Sequence, residues 1–225
     1  MTAGRQSFVR RRCHCAASDP YCNGENPRMN YGFIGAGAIA QALVRRLTAV
    51  GESDIVLSNS REPATLAPLA RHFGVRAGTT ADAAAAEVVV LAVQWSRIPA
   101  ALNGLDLEGR VLIDTTNPLE APTFQPFDLG GLTSSEVVAG HAHGARVVKA
   151  FNTHSPEKLG SYPEVDGGKR VIFYSGDEAG ALTTVGLMIQ RLGFAGVPLG
   201  DLATGGRLHQ FPGGPMPARD FIEHR

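Results

Sequence analysis

The sequence predicts a doubly wound α/β fold with a mainly parallel sheet, on three observations. Strand-like and helix-like segments alternate from Met29 to position 199, as in repeated βα units. Several strand segments are continuous apolar runs, which suits a sheet covered on both faces. The first of them runs straight into a glycine-rich turn and then an apolar helix.

In chain order the expected strands are 31–34, 54–57, 75–77, 87–93, 110–114, 146–150, 171–174 and 195–199. The expected helices are 38–49, 63–73, 80–86, 96–102 and 179–192. The helix at 38 begins at the glycine turn, and the helix at 63 has Pro63 near its start and Gly74 after its end. Right-handed crossovers between such units build a parallel sheet with helices on both faces. No internal repeat and no linker divides residues 29–225, which are expected to form one dinucleotide-binding domain.

The turn explains that expectation. Gly35-Ala36-Gly37-Ala38-Ile39-Ala40 follows the strand Tyr31-Gly32-Phe33-Ile34 and opens a helix, the context that a dinucleotide fingerprint requires. Gly35 permits a turn that a side chain would obstruct, Gly37 lets the backbone approach a pyrophosphate, and Ala40 keeps the helix tight on the sheet. The phosphates then sit at the helix N-terminus, where free N–H groups and the helix dipole favour negative charge. Gly35, Ala36, Gly37, Ala38 and Ile39 are therefore candidate cofactor contacts.

The second strand selects the cofactor. Enzymes that use NAD usually end this strand with an acid that holds the ribose 2′-hydroxyl, and this chain has none. Ser58-Asn59-Ser60-Arg61 instead offers hydroxyls, an amide and a guanidinium where a 2′-phosphate would lie. Arg61 suits a forked, charge-assisted contact to phosphate oxygens, with Ser60 adding another, so NADP(H) is expected over NAD(H). The adjacent Glu62 keeps open the plainer reading of Arg61 as a solvated loop charge.

Ligands in such sheets bind beyond the carboxyl ends of the strands. After the fourth strand come Ala92, Val93 and Gln94, placed to pass beneath the cofactor, then Trp95, either a flat wall for it or packing for the following helix. After the fifth strand, Asn117 offers donors and acceptors to a ribose or carboxamide, and Pro118 stiffens its turn. After the sixth, Ala150 precedes Phe151, a candidate apolar surface, and Asn152, a second polar group near the nicotinamide. Lys149 is expected to snorkel from its strand. His154 is a proton donor by type but is expected to be an exposed loop histidine. His141 and His143 have no third ligand at credible spacing and are expected in a solvated loop. No catalytic acid or base and no metal site is assigned.

Composition excludes several classes. The chain has 225 residues, 44% of them hydrophobic, with 21 basic and 21 acidic side chains, so its charge argues for neither nucleic acid nor an anionic membrane surface. No apolar run approaches the roughly 20 residues of a spanning helix. Residues 1–28 read as a flexible extension rich in arginine, then in Ser, Asn, Gly and Pro, and Met29 is a second candidate start. The extension lacks the amphipathic helix of a transit peptide and the apolar core of a secretory signal. It holds all three cysteines, Cys13, Cys15 and Cys22, at spacings unlike a zinc site. With no cysteine in the body, a cytoplasmic protein is expected.

Together the segments GFIGAGAIA, LSNSR, LAVQW, IDTTNP and RVVKAFNT resemble the NADP oxidoreductases grouped with coenzyme F420-dependent NADP reductase, over roughly Met29 to Arg207. The resemblance implies a Rossmann domain, commonly a homodimer, whose small C-terminal portion closes a pocket beside the nicotinamide. It implies hydride transfer between NADP(H) and a deazaflavin, with related members reducing flavin or ferric iron. It places the 2′-phosphate on Ser60 and Arg61, and Asn117 and Asn152 beside the nicotinamide and the acceptor. The chain departs from the pattern in having Glu62-Pro63-Ala64-Thr65 where a further basic residue is expected, and Asn152 where deazaflavin enzymes tend to have histidine. The segment Gly205-Gly206-Arg207-Leu208-His209 and the Pro- and Gly-rich stretch after it are not expected to be helical. The expected function is an NADPH-dependent reductase with a small-molecule hydride acceptor. The rival reading is an NADP(H)-binding redox sensor without turnover.

Overall fold

A computed structural model describes residues 29–224, so the expectations for the N-terminal extension and its cysteines lie outside the described residues. The elements run β1 Tyr31–Ile34, α1 Ala38–Ala49, β2 Ile55–Ser58, α2 Ala67–Phe73, β3 Arg76–Ala77, α3 Thr80–Ala84 and β4 Val88–Leu91. Then follow α4 Ile98–Leu102, β5 Val111–Asp114, α5 Ser134–His141, β6 Arg146–Ala150, α6 Pro156–Gly160, β7 Glu164–Val165 and β8 Gly168–Gly176. The chain continues through α7 Ala179–Arg191, β9 Ala195–Pro198, α8 Gly205–His209 and β10 Ile222–Glu223. Short 3-10 turns at Pro63–Leu66 and Trp95–Arg97 lead into α2 and α4, which accounts for the longer helices expected there.

The sheet is mixed α/β and mostly parallel. Its order is β10-β8-β6-β5-β4-β1-β2-β3, with β7 and β9 also pairing with β8. Strands β1 to β6 are mutually parallel, as the alternating pattern predicts. Strand β8 enters antiparallel to β6 and carries β9 parallel on its other side.

Side-chain alternation along the strands assigns the two faces. Phe33, Leu57, Val90, Ile113 and Val148 pack with Leu43 and Leu47 of α1 and Met188 and Ile189 of α7. Ile34, Val56, Leu91, Leu112 and Val147 pack on the opposite face with Ala83 of α3, Ile98 of α4 and Val138 of α5. Each fully buried Leu or Ile in these layers contributes about 1.5–3 kcal/mol.

Local chemistry starts the helices that the periodicity misses. Thr133 caps α5, its hydroxyl accepting from Glu136 N while Glu136 Oε2 accepts from Thr133 N at 2.7 Å, a capping box. Ser155 caps α6 ahead of Pro156. The segment 205–209, expected to be non-helical, forms the short helix α8, because packing on β8 outweighs the poor propensity of Gly205 and Gly206.

Candidate functional site: a crevice at the strand ends

The sheet order reverses between β1 and β4, and the crevice above that point is where a doubly wound sheet takes a ligand. A cleft of about 360 Å³ opens there, between the turn Gly37-Ala38-Ile39, the segment Ala92-Val93-Gln94-Trp95 after β4 and Thr115-Thr116-Asn117 after β5.

The glycine turn is built as its sequence suggests. Gly35 has φ +109°, and a Cβ there would collide with the carbonyl oxygen of Ala92, so a larger residue would both strain the backbone and strike the segment that follows β4. Gly37 differs: its φ is ordinary and an added Cβ would meet nothing within 4 Å, because it would project into the cleft. Gly37 caps α1 without a side-chain hydrogen bond, and the first turn holds no acid, so the leading N–H groups of α1 are free to meet an anion.

The segment after β2 divides. Ser58 is buried and donates to Phe33 O at 2.7 Å, so its hydroxyl is spent within the sheet. Asn59 accepts from Arg61 N at 2.8 Å and so shapes the turn, while Ser60 and Arg61 are exposed at its tip. Across the cleft, Trp95 is only 8% exposed, packs with Ile98 and Leu102, and also lines the opening. Glu120 accepts from Ser96 N at 3.1 Å and ties the segment after β5 to the Trp95 turn.

At the end of β6 the backbone turns over. Phe151 has φ +62°, uncommon for a bulky residue, and lies fully buried in the α1 and α7 layer with Val148 and Ala150. Phe151 is thus core, not the apolar surface expected of it, and the Ala150 side chain is likewise turned into that layer. Asn117 and Asn152 meet directly. Asn117 Nδ2 donates to Asn152 O, and Asn152 Nδ2 to Asn117 Oδ1, both at 3.0 Å. Pro118 is buried behind them.

Two readings of charged residues are corrected. Lys149 does not snorkel: it is fully buried beneath α5 and α8. Its ammonium donates to Asp114 Oδ2 at 3.3 Å, Thr116 O at 3.0 Å and Ser134 Oγ at 2.9 Å. Burial pushes its pKa below the usual lysine range, against the opposing pull of the Asp114 carboxylate. Asp114 also accepts from Thr116 N, from the Thr116 hydroxyl at 2.6 Å and from the Ser135 hydroxyl. His154 is not exposed: it is buried, with Nε2 2.8 Å from Val171 O, and burial lowers its pKa. His141 closes α5 and His143 follows it, both exposed.

The sequence reading passed over His209 of α8. It is fully buried, with Nε2 2.8 Å from Ser175 Oγ of β8 and Nδ1 3.2 Å from Asn152 Oδ1. Burial, reinforced by the Lys149 ammonium and opposed by Asp114, pushes its pKa down to about 3. A histidine in a glycine-rich segment carries no local signal of such a place. Arg207 of the same helix donates to Gly131 O at 3.1 Å, and Gln210 accepts from Ser134 N at 2.6 Å.

Residues 30–118, which hold the glycine turn and the ends of β2, β4 and β5, match the family model described as NADP oxidoreductase, coenzyme F420-dependent. A hypothetical protein of Sinorhizobium meliloti has a similar structure, with TM-score 0.81 and 39% identity over 90% of this chain and 98% of that one. A protein of Arthrobacter sp. FB24 assigned as an F420-dependent NADP reductase follows at TM-score 0.66 and 28% identity, covering 77% of this chain and 86% of that one. Metalloreductase STEAP3 of Rattus norvegicus is 30% identical over 182 residues, 80% of this chain. This chain spans 36% of the length of that curated relative. Among the described residues no helix is long and apolar enough to cross a membrane.

Proposed function

This chain belongs to the NADP oxidoreductase, coenzyme F420-dependent, family, whose members are NADP-dependent reductases, and we propose on that premise that it passes hydride from NADPH to a deazaflavin or flavin ring. The cleft at the strand reversal carries the reading: a glycine turn without a side chain at Gly37, an uncapped helix end and an exposed Ser60-Arg61 pair fit the pyrophosphate and the 2′-phosphate in turn. When bound, the reduced nicotinamide supplies the hydride. The chain binds, orients and excludes water, and proximity provides most of the acceleration.

The lining supports a ring acceptor over a carbonyl. Among the described residues that line it, Glu120 has the one ionisable side chain, and its carboxylate is engaged with Ser96 N. Among the described residues no lysine, histidine or tyrosine lines the opening to protonate a nascent alkoxide, whereas a reduced ring takes its proton from water. Phe127 and Phe211 are partly exposed beside it, Phe127 N donating to Pro118 O and Phe211 N to Asn117 Oδ1, which gives a flat apolar ligand a surface.

Following the absorbance of reduced nicotinamide with a panel of deazaflavin, flavin and ferric acceptors tests the reading. Turnover with a ring acceptor supports it, and tight NADPH binding without turnover on any acceptor supports a sensor instead. Replacing Arg61 with alanine is expected to weaken NADPH about ten- to a hundredfold and leave NADH unchanged, because one charge-assisted phosphate contact is lost. Equal selectivity in a calorimetric titration counts against the assignment of the 2′-phosphate. Gly37→Val is expected to keep the melting temperature, since the space is open, yet lower the affinity for both dinucleotides by about tenfold or more. Unaltered affinity would place the pyrophosphate elsewhere.

A further inference from the structure

The hydrogen bonds between Asn117, Asn152 and His209 have a direction that their geometry dictates. One end of the Asn152 carboxamide lies 2.6 Å from the backbone oxygen of His209, and a carbonyl only accepts, so that end is Nδ2. The other end, 3.2 Å from His209 Nδ1, is then the oxygen. Phe211 N, a donor only, lies 3.3 Å from Asn117 Oδ1 and orients that amide in the same sense. Asn152 Oδ1 therefore calls for a proton on His209 Nδ1, and Nε2 accepts from the Ser175 hydroxyl at 2.8 Å. Chains of this kind polarise each member in one direction.

The same count separates the two asparagines. Both N–H groups of Asn152 are used, on Asn117 Oδ1 and His209 O, so its amide has no donor left for a ligand. Asn117 uses one N–H on Asn152 O and both oxygen lone pairs on Asn152 Nδ2 and Phe211 N. One Asn117 N–H remains, on a residue that lines the cleft.

We propose that His209 is a positioning residue: held as the neutral Nδ1–H tautomer, it orients Asn152 and through it Asn117, which presents one N–H to an oxygen of the nicotinamide half of the cofactor. This rests on the NADP(H) reading. Lys149 of β6 and Asp114 of β5 are the charged groups that act on the imidazole, and burial with the ammonium keeps it uncharged.

Nitrogen NMR of the imidazole in the full chain tests the tautomer, with the proton expected on Nδ1 and a bare Nε2. Calorimetry with NADPH and with 2′-phospho-ADP-ribose, which lacks nicotinamide, tests the orientation. His209→Gln reaches towards Ser175 but has no donor for Asn152, and is expected to weaken NADPH about tenfold while leaving 2′-phospho-ADP-ribose within about twofold. His209→Asn sets an amide N–H near Nδ1 and is expected to retain both affinities. A proton on Nε2, or the two variants weakening both ligands alike, would overturn the proposal. If the unaltered chain binds neither nucleotide, the cofactor reading falls and the orientation claim falls with it, while the NMR still decides the tautomer.

Discussion

Lys149→Met is expected to destabilise the protein by about 3–5 kcal/mol, the cost of stranding one partner of a buried ion pair. Both Lys149 and Asp114 have side chains at 0% exposure, 3.3 Å apart. The ammonium spends its three donors on Asp114, Thr116 O and Ser134. Methionine fills the volume but leaves the carboxylate with only the neutral donors of Thr116 and Ser135. Urea denaturation at neutral pH gives the size of the loss. The double variant Asp114→Asn, Lys149→Met removes both charges and is expected to recover a large part of it, so the two changes are non-additive by more than about 1 kcal/mol. A Lys149→Met chain within about 0.5 kcal/mol of the parent would mean that the pair does not balance charge as its geometry indicates.

Acidification is expected to destabilise the fold well before its carboxylates titrate. The ordinary histidine value is 6.5, and in the folded chain His209 is held down to about 3. Above pH 6.5 the imidazole is neutral in both states and contributes no pH dependence. Below it, the unfolded chain takes up a proton that the folded chain refuses, so stability falls as pH drops from 6.5 towards about 3, by roughly 1.4 kcal/mol per pH unit. His154, also lowered by burial, acts in the same direction. Asp201 and Asp220, with pKa values below the usual carboxylate range, lose their stabilisation only at lower pH. The interval between pH 6.5 and 5 thus reports the histidines, and there His209→Gln is expected to flatten the slope of stability against pH. An identical slope in parent and variant would show that His209 already carries a proton when folded.

Much of this was readable in the residues. The strand Tyr31–Ile34, the turn at Gly35 and the helix Ala38–Ala49 are local in cause, with apolar spacing, a residue that tolerates positive φ and a good helix run, so spacing and identity suffice. The antiparallel entry of β8 was not readable, because an apolar run such as Val171 to Tyr174 looks the same in either direction. The helix α8 was unreadable for another reason: Gly205 and Gly206 disfavour helix, and what holds them is contact with β8, far earlier in the chain. Lys149 and His154 were misjudged because burial of a polar group depends on partners distant in sequence. Asp114 lies 35 positions before Lys149, and Val171 lies 17 after His154. The places of Asn117 and Asn152 at strand ends are legible locally, but the sharing of donors and acceptors between them depends on a pairing across 35 positions.

Asp114, Lys149 and Ser175 stand opposite one another on three neighbouring strands, β5, β6 and β8. Inside-outside alternation rejects a slip of one residue but is blind to a slip of two, which keeps every apolar side chain on its own face. Sliding β8 by two would set Phe173 opposite Lys149 in place of Ser175. The polar row therefore works as an alignment key, proofreading the pairing through which β8 joins the parallel strands in the reverse direction.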